Sequence, residues 1–200
     1  IGYGDGLNWY AYVGNDPINF GDPFGLCQVV EGEIKECDVT VEDEGSLTEE
    51  QQGQVGEIKA NLVAIGELIQ EKGDDQIKEA WKSISKIKID VTSTDKSNNS
   101  DDRISLSGQA VQSNNKKVSD RDHQRFVITH EIVHSEPVRK SAMSSAIKRQ
   151  KGYDPSVIGS PTRIQEQRTD RKAYKFLYSN QAISQKHGYL GQQEFTGYWP

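Results

Sequence analysis

Residues Phe126-Val127-Ile128-Thr129-His130-Glu131-Ile132-Val133-His134 set two histidines four positions apart inside an apolar run. Ser119, with Asp122 three residues on, signals a helix start, and Pro137 limits the helix at its far end. On such a helix, residues four apart lie one above the other, with Cβ atoms ~6 Å apart. Two imidazoles so placed converge on one ion, each nitrogen ~2.0–2.1 Å from it. Glu131 is one residue on from His130, about 100° round the helix. It stands beside the ion rather than on it, where a base could act on a metal-bound water. Val127, Ile128, Ile132 and Val133 around the pair argue for burial, and two histidines able to take up charge suit a plain core poorly.

Catalytic zinc keeps three protein ligands and one open position, so a third ligand is needed. His123 lies seven residues before His130 and is poorly placed; His187 is an alternative. The better candidate comes from the last clear helix, which Ser160-Pro161 opens with proline at the first helical position and which runs to about Ser179. Within it Glu166, Asp170, Ala173 and Leu177 fall on one stripe. Two carboxylates on an inward stripe are costly unless a cation or hydrogen-bond donors receive them. Glu166 on the metal, and Asp170 accepting from a ligand imidazole N–H, meet that need. The competing reading is salt bridges to Arg168, Arg171 or a basic helix over 139–150.

H-E-x-x-H followed by a helical E-x-x-x-D resembles the gluzincin type of zincin metallopeptidase. The stretch Glu166-Gln-Arg-Thr-Asp170-Arg-Lys-Ala173 is similar to the E-x-x-A-D-x-x-A helix of several such families, with Thr169 in the Ala place. The resemblance implies an α+β, zincin-like fold, mostly helical, with a small antiparallel sheet preceding the H-E-x-x-H helix. It implies Zn²⁺ held by His130, His134 and Glu166, Glu131 as general base, Asp170 orienting a ligand histidine, and a protein or peptide substrate. Tyr174, His187 and Tyr189 are candidates for stabilising the transition state. Two other classes stay open: different metal-dependent hydrolysis, by a nuclease or amidase, and a non-catalytic binding or toxin module.

Elsewhere the pattern predicts a strand over 34–41 and a helix over 46–72. Ser46-Leu47-Thr48-Glu49 gives that helix a capping box, and Val55, Ile58, Leu62, Ile65 and Ile69 give it a stripe. A second helix capped by Asp74 or Asp75 carries Ile77, Ala80, Trp81 and Ile84. Ile87, Ile89 and Val91 alternate as a strand, 96–102 is a polar loop, and Ile104 and Leu106 make another strand. That last strand is either the edge on which zincins hold an extended peptide or an ordinary sheet strand.

Residues 1–26 differ in composition, being rich in Gly, Asn, Asp, Pro and aromatics, with three crowded turn signals around a short strand at Trp9-Tyr10-Ala11-Tyr12-Val13. The string LNWYAYVGNDPINFGDPFGL resembles the end of the core in Rhs/YD-repeat proteins, which closes a β-cage ahead of a variable toxin domain. Asp22, Pro23, Gly25 and Leu26 are similar to the D-P-x-G-L boundary, where self-cleavage follows the Leu. The resemblance implies that 1–26 is a cage stub and 27–200 a toxin domain, a secreted effector delivered into a target cell. Its implied partners are the Rhs cage and a cognate immunity protein. With no Met, basic segment or apolar segment at its start, the chain reads as a fragment without a signal peptide.

The 200 residues are 34% hydrophobic and 27% charged with a net charge of -6, which makes a nucleic-acid partner unfavourable. No apolar run reaches the ~18 residues of a membrane span. Charge is uneven: 31–79 hold 15 acidic and 4 basic residues, 139–186 hold 11 basic and 3 acidic. These are either solvated faces that attract each other or a basic rim that meets an acidic partner. Cys27 and Cys37 are either one disulfide or two thiols.

Overall fold

In the computed structural model, which describes residues 27–100, 102–113, 116–135 and 161–184, Cys27 and Cys37 form a disulfide. The bridge closes a hairpin of β1 (Gln28–Val30) and β2 (Glu33–Lys35), paired antiparallel. Glu31 and Gly32 turn it with φ of 53° and 75°, the two left-handed residues of a primed turn. Gln70 clasps the hairpin by accepting the Val29 N–H and donating to the Val29 carbonyl. The strand expected over 34–41 is therefore two: it breaks at Glu36, whose φ is 65°, before β3 (Asp38–Val41) begins.

The first helix, α1, spans Glu49–Lys72 and buries the expected stripe, Val55, Ile58, Leu62, Ile65 and Ile69. Its capping box is Thr48 with Gln51 rather than Ser46 with Glu49. Ser46 is spent in a short 3-10 turn, Glu44–Ser46. The next helix, α2 (Asp75–Lys82), starts at Asp74, whose side chain accepts the Ile77 N–H, and buries Ile77, Ala80 and Trp81.

Four strands form the larger sheet, in the order β3, β4 (Lys86–Asp90), β6 (Arg103–Ser107), β5 (Asn98–Ser100). β3–β4 and β4–β6 are parallel and only β5–β6 is antiparallel, so the sheet is mixed where an antiparallel one was expected. The reason is connectivity: α1 and α2 lie between β3 and β4 and supply the long crossover that parallel pairing requires. The expected loop over 96–102 contains β5, which folds back along β6. This places β6 inside the sheet, not at its edge, and makes β5 the edge strand on that side, with β3 at the other edge. On β4, Ile87 and Ile89 face the core, while Lys86 and Lys88 reach across the other face to Asp38 and Glu42 at 3.3 and 2.8 Å.

Helix α3 (Asp120–His134) is capped by Ser119 and packs against α1, α2, the sheet and α4 (Pro161–Ser179). Ten of its 15 residues are buried, including Phe126, Val127, Ile128, Ile132 and Val133. The described residues thus hold four α-helices and two small sheets around one core. None of their helices is long and apolar enough to cross a membrane. The expectations at 1–26, with Asp22, Pro23, Gly25 and Leu26, the basic helix over 139–150, and His187 and Tyr189 lie outside the described residues.

Candidate metal centre

The i, i+4 spacing on α3 brings His130 Nε2 and His134 Nε2 to 3.0 Å from each other. Glu166, from α4, closes the triangle: its Oε2 lies 3.2 Å from His130 Nε2 and 2.9 Å from His134 Nε2. These three side chains form a group that could hold a metal ion. The corner distances fit one: ligand atoms of a tetrahedral ion with bonds of ~2.0–2.1 Å stand ~3.3 Å apart.

Asp170, one turn beyond Glu166, lies with Oδ1 2.8 Å from His130 Nδ1. In the neutral ring this partner assigns the proton to Nδ1 and leaves the Nε2 lone pair facing the other two ligand atoms. Three lone-pair donors aimed at one point repel unless a cation or a proton sits among them. The electrostatics say the same. Burial of His130, 2% exposed, disfavours its charged form, yet hydrogen bonds to Asp170 and Glu166 and the nearby Glu131 charge outweigh this and push it up to about 9. Burial raises Glu166, but its bonds to His130 and His134 overcome that and hold it down to about 2.

Glu131 is 3% exposed, on the same turn of α3 as His130 and not among the three ligand atoms. The site is graded: the His130 and Asp170 side chains are each 2% exposed, while His134 and Glu166 are 11% and 15% exposed. It therefore opens on the side of His134 and Glu166. Helix α4 is amphipathic in the manner its stripe predicted, with Thr169, Asp170, Ala173 and Leu177 buried against α3.

Tyr174 is half-buried and its ring stacks on Tyr178, with centroids 5.7 Å apart. It stands eight residues after Glu166, ~12 Å along the axis. Burial, then the Tyr178 charge, raises its hydroxyl. His123, two turns before His130, is not part of the three-ligand group.

Asn99 of β5 was not anticipated. Its Nδ2 donates to the Glu131 carbonyl at 3.1 Å and to Ser135 Oγ. The Ser135 N–H turns instead to Ile132 O at 2.9 Å, so Asn99 takes over a carbonyl that the helix end would leave orphaned. The sheet edge is thereby tied to the turn that carries Glu131 and His134. Asparagine in a polar loop carries no sequence signal for this role. A second polar link was also missed: Arg125 Nε donates to Asn61 at 3.0 Å and its Nη1 to the Ala182 carbonyl at 2.9 Å, joining α1, α3 and the segment after α4.

No protein-family model, curated protein or solved structure matches this chain.

Proposed function

We propose that residues 27–200 are a zinc-dependent peptide-bond hydrolase, the effector domain of an Rhs-type toxin. The observation that supports this most is the convergence of His130, His134 and Glu166 with Asp170 behind His130. Zn²⁺ bound there would polarise a peptide carbonyl and lower the pKa of a water toward ~7. Two nitrogens and one carboxylate oxygen are a donor set suited to zinc. Glu131 takes the proton of the attacking water and returns it to the leaving amine nitrogen. Burial of Glu131 keeps that carboxylate out of bulk water. Asp170 keeps His130 in the Nδ1–H form and steadies the ring. The edge strand β5, tied by Asn99 to the Glu131 turn, offers backbone groups for an extended substrate strand.

The delivery context rests on the D-P-F-G-L string at 22–26 and carries with it an immunity protein in the producing cell. Glu131→Gln tests the reading. It should keep zinc content unchanged while toxicity and the appearance of new peptide termini in expressing cells fall by ~10²-fold or more, the scale of a lost general base. A fully toxic Glu131→Gln protein would remove the hydrolase assignment.

A further inference from the structure

Helices α2 and α4 both pack on α3 and leave between them a groove of about 550 Å³. It lies on a different face of α4 from the one that carries Glu166 and Asp170. Arg168, Arg171, Lys172 and Lys175 line it from α4, and Lys72 from the end of α1. The four α4 cations fall at i, i+3, i+4 and i+7, one continuous stripe over two turns. Among the described residues Asp74 is the one acidic residue in the lining; it already caps α2 and lies 3.8 Å from Lys172 Nζ. Lys172 bridges the groove to Gln76 Oε1 at 3.0 Å. Arg168, Arg171 and Lys175 are exposed, and among the described residues no carboxylate pairs with them. The apolar part of the lining is the half-buried Phe176, beside Ile77, which α2 buries.

Like charges along one stripe repel, and a chain of net charge -6 has no need of such a stripe for solubility. We propose that the groove between α2 and α4 is a docking site for an acidic segment of a partner protein that carries an apolar anchor. The stripe supplies charge complementarity, with guanidinium groups able to take carboxylates in bidentate pairs. The half-buried Phe176 in the lining distinguishes this occupant from a polyphosphate or nucleic-acid strand, which presents no aliphatic side chain to bury. The proposal does not depend on the hydrolase reading.

The test uses the full chain, loaded with zinc, and a fluorescein-labelled peptide Glu-Glu-Leu-Glu-Glu-Leu-Glu-Glu. Binding is followed by anisotropy, beside a peptide with both Leu changed to Ser and an oligothymidylate of equal charge. The expected result is saturable binding of the Leu peptide that weakens as salt rises from ~50 to ~300 mM. The Ser peptide should bind more weakly. The double variant Arg171→Glu/Lys175→Glu should lose affinity for the Leu peptide by ~10-fold or more, a loss expected where close charge pairs are reversed. Both substituted residues are exposed, and unchanged zinc content and circular dichroism show that the variant is folded. Equal binding by the variant, equal binding of the two peptides, no binding up to ~1 mM, or tighter binding of the oligothymidylate would each overturn the proposal.

Discussion

At the scale of single residues, the centre is governed by what Asp170 does to His130. The carboxylate lies 2.8 Å from Nδ1 and is itself buried, so it fixes ring and tautomer together. Asp170→Asn should keep the fold but weaken metal affinity by ~10–100-fold, measured by competition with a chromophoric chelator. The metal-free protein should also be pH-sensitive in a defined sense. His130 is raised from 6.5 to about 9, so its contribution to stability is full below ~6.5 and is lost as pH climbs through about 9. Glu166 is lowered from 4.5 to about 2, so its contribution is present above ~4.5 and is lost as pH falls through about 2. Denaturant titrations of the metal-free chain should therefore show higher stability near pH 6 than near pH 9.5. At pH 7 an incoming cation must displace the His130 proton, so zinc affinity should rise ~10-fold per unit toward pH 9, with proton release seen by calorimetry. His130, Glu131 and His134 were legible because their spacing alone sets their geometry. Asn99 was not, because its role depends on which strand lies beside α3.

At the scale of elements, apolar periodicity located α1, α2, α3 and α4 and the strands β4 and β6, since each buries the stripe its period dictates. It did not locate β5, whose Asn98-Asn99-Ser100 has no apolar alternation and is a strand only through pairing with β6. Helix α1 separates the two meanings a helical glycine can have. A Cβ on Gly66 would come within 2.5 Å of Val29 Cγ2 and 2.8 Å of Trp81 Cζ2, so hairpin and α2 both pack against that bare position. Gly66→Ala should destabilise by ~1–3 kcal/mol through overpacking. Gly53 and Gly56 meet nothing within 4 Å. Replacing either by Ala should stabilise by ~0.5–1 kcal/mol, the helix-interior penalty of glycine. Urea denaturation midpoints at constant m-value distinguish the two signs.

At the scale of the molecule, the centre exists only where α3 and α4 meet, and the rest of the chain serves that meeting. The core joins the α1 stripe, Trp81, the inner faces of β4 and β6, Phe126 and Leu177 into one cluster, in which ten of the 15 residues of α3 are buried. The disulfide closes the base of the hairpin, across a separation of 10 residues, and Gln70 of α1 ties that hairpin to this body. Reduction should cost ~2–3 kcal/mol by the loop-entropy account, seen as a lower urea midpoint in reductant, and Cys27→Ser/Cys37→Ser should reproduce it. Metal content should survive either change, because neither cysteine lies on α3 or α4.

The sequence by itself determined which residues meet within one helix. His130 with His134, and Glu166 with Asp170, follow from a local period of 3.6 residues that needs no partner to be read. The inward carboxylate stripe already pointed Glu166 toward the two imidazoles, and the structure brings the three together; tertiary structure alone decided the other meetings between elements: β5 rather than β6 at the edge, Asn99 on the Glu131 carbonyl, and Cys27 with Cys37. Those contacts join positions far apart in the chain, and their selection belongs to the packing of the whole core, which no local pattern encodes.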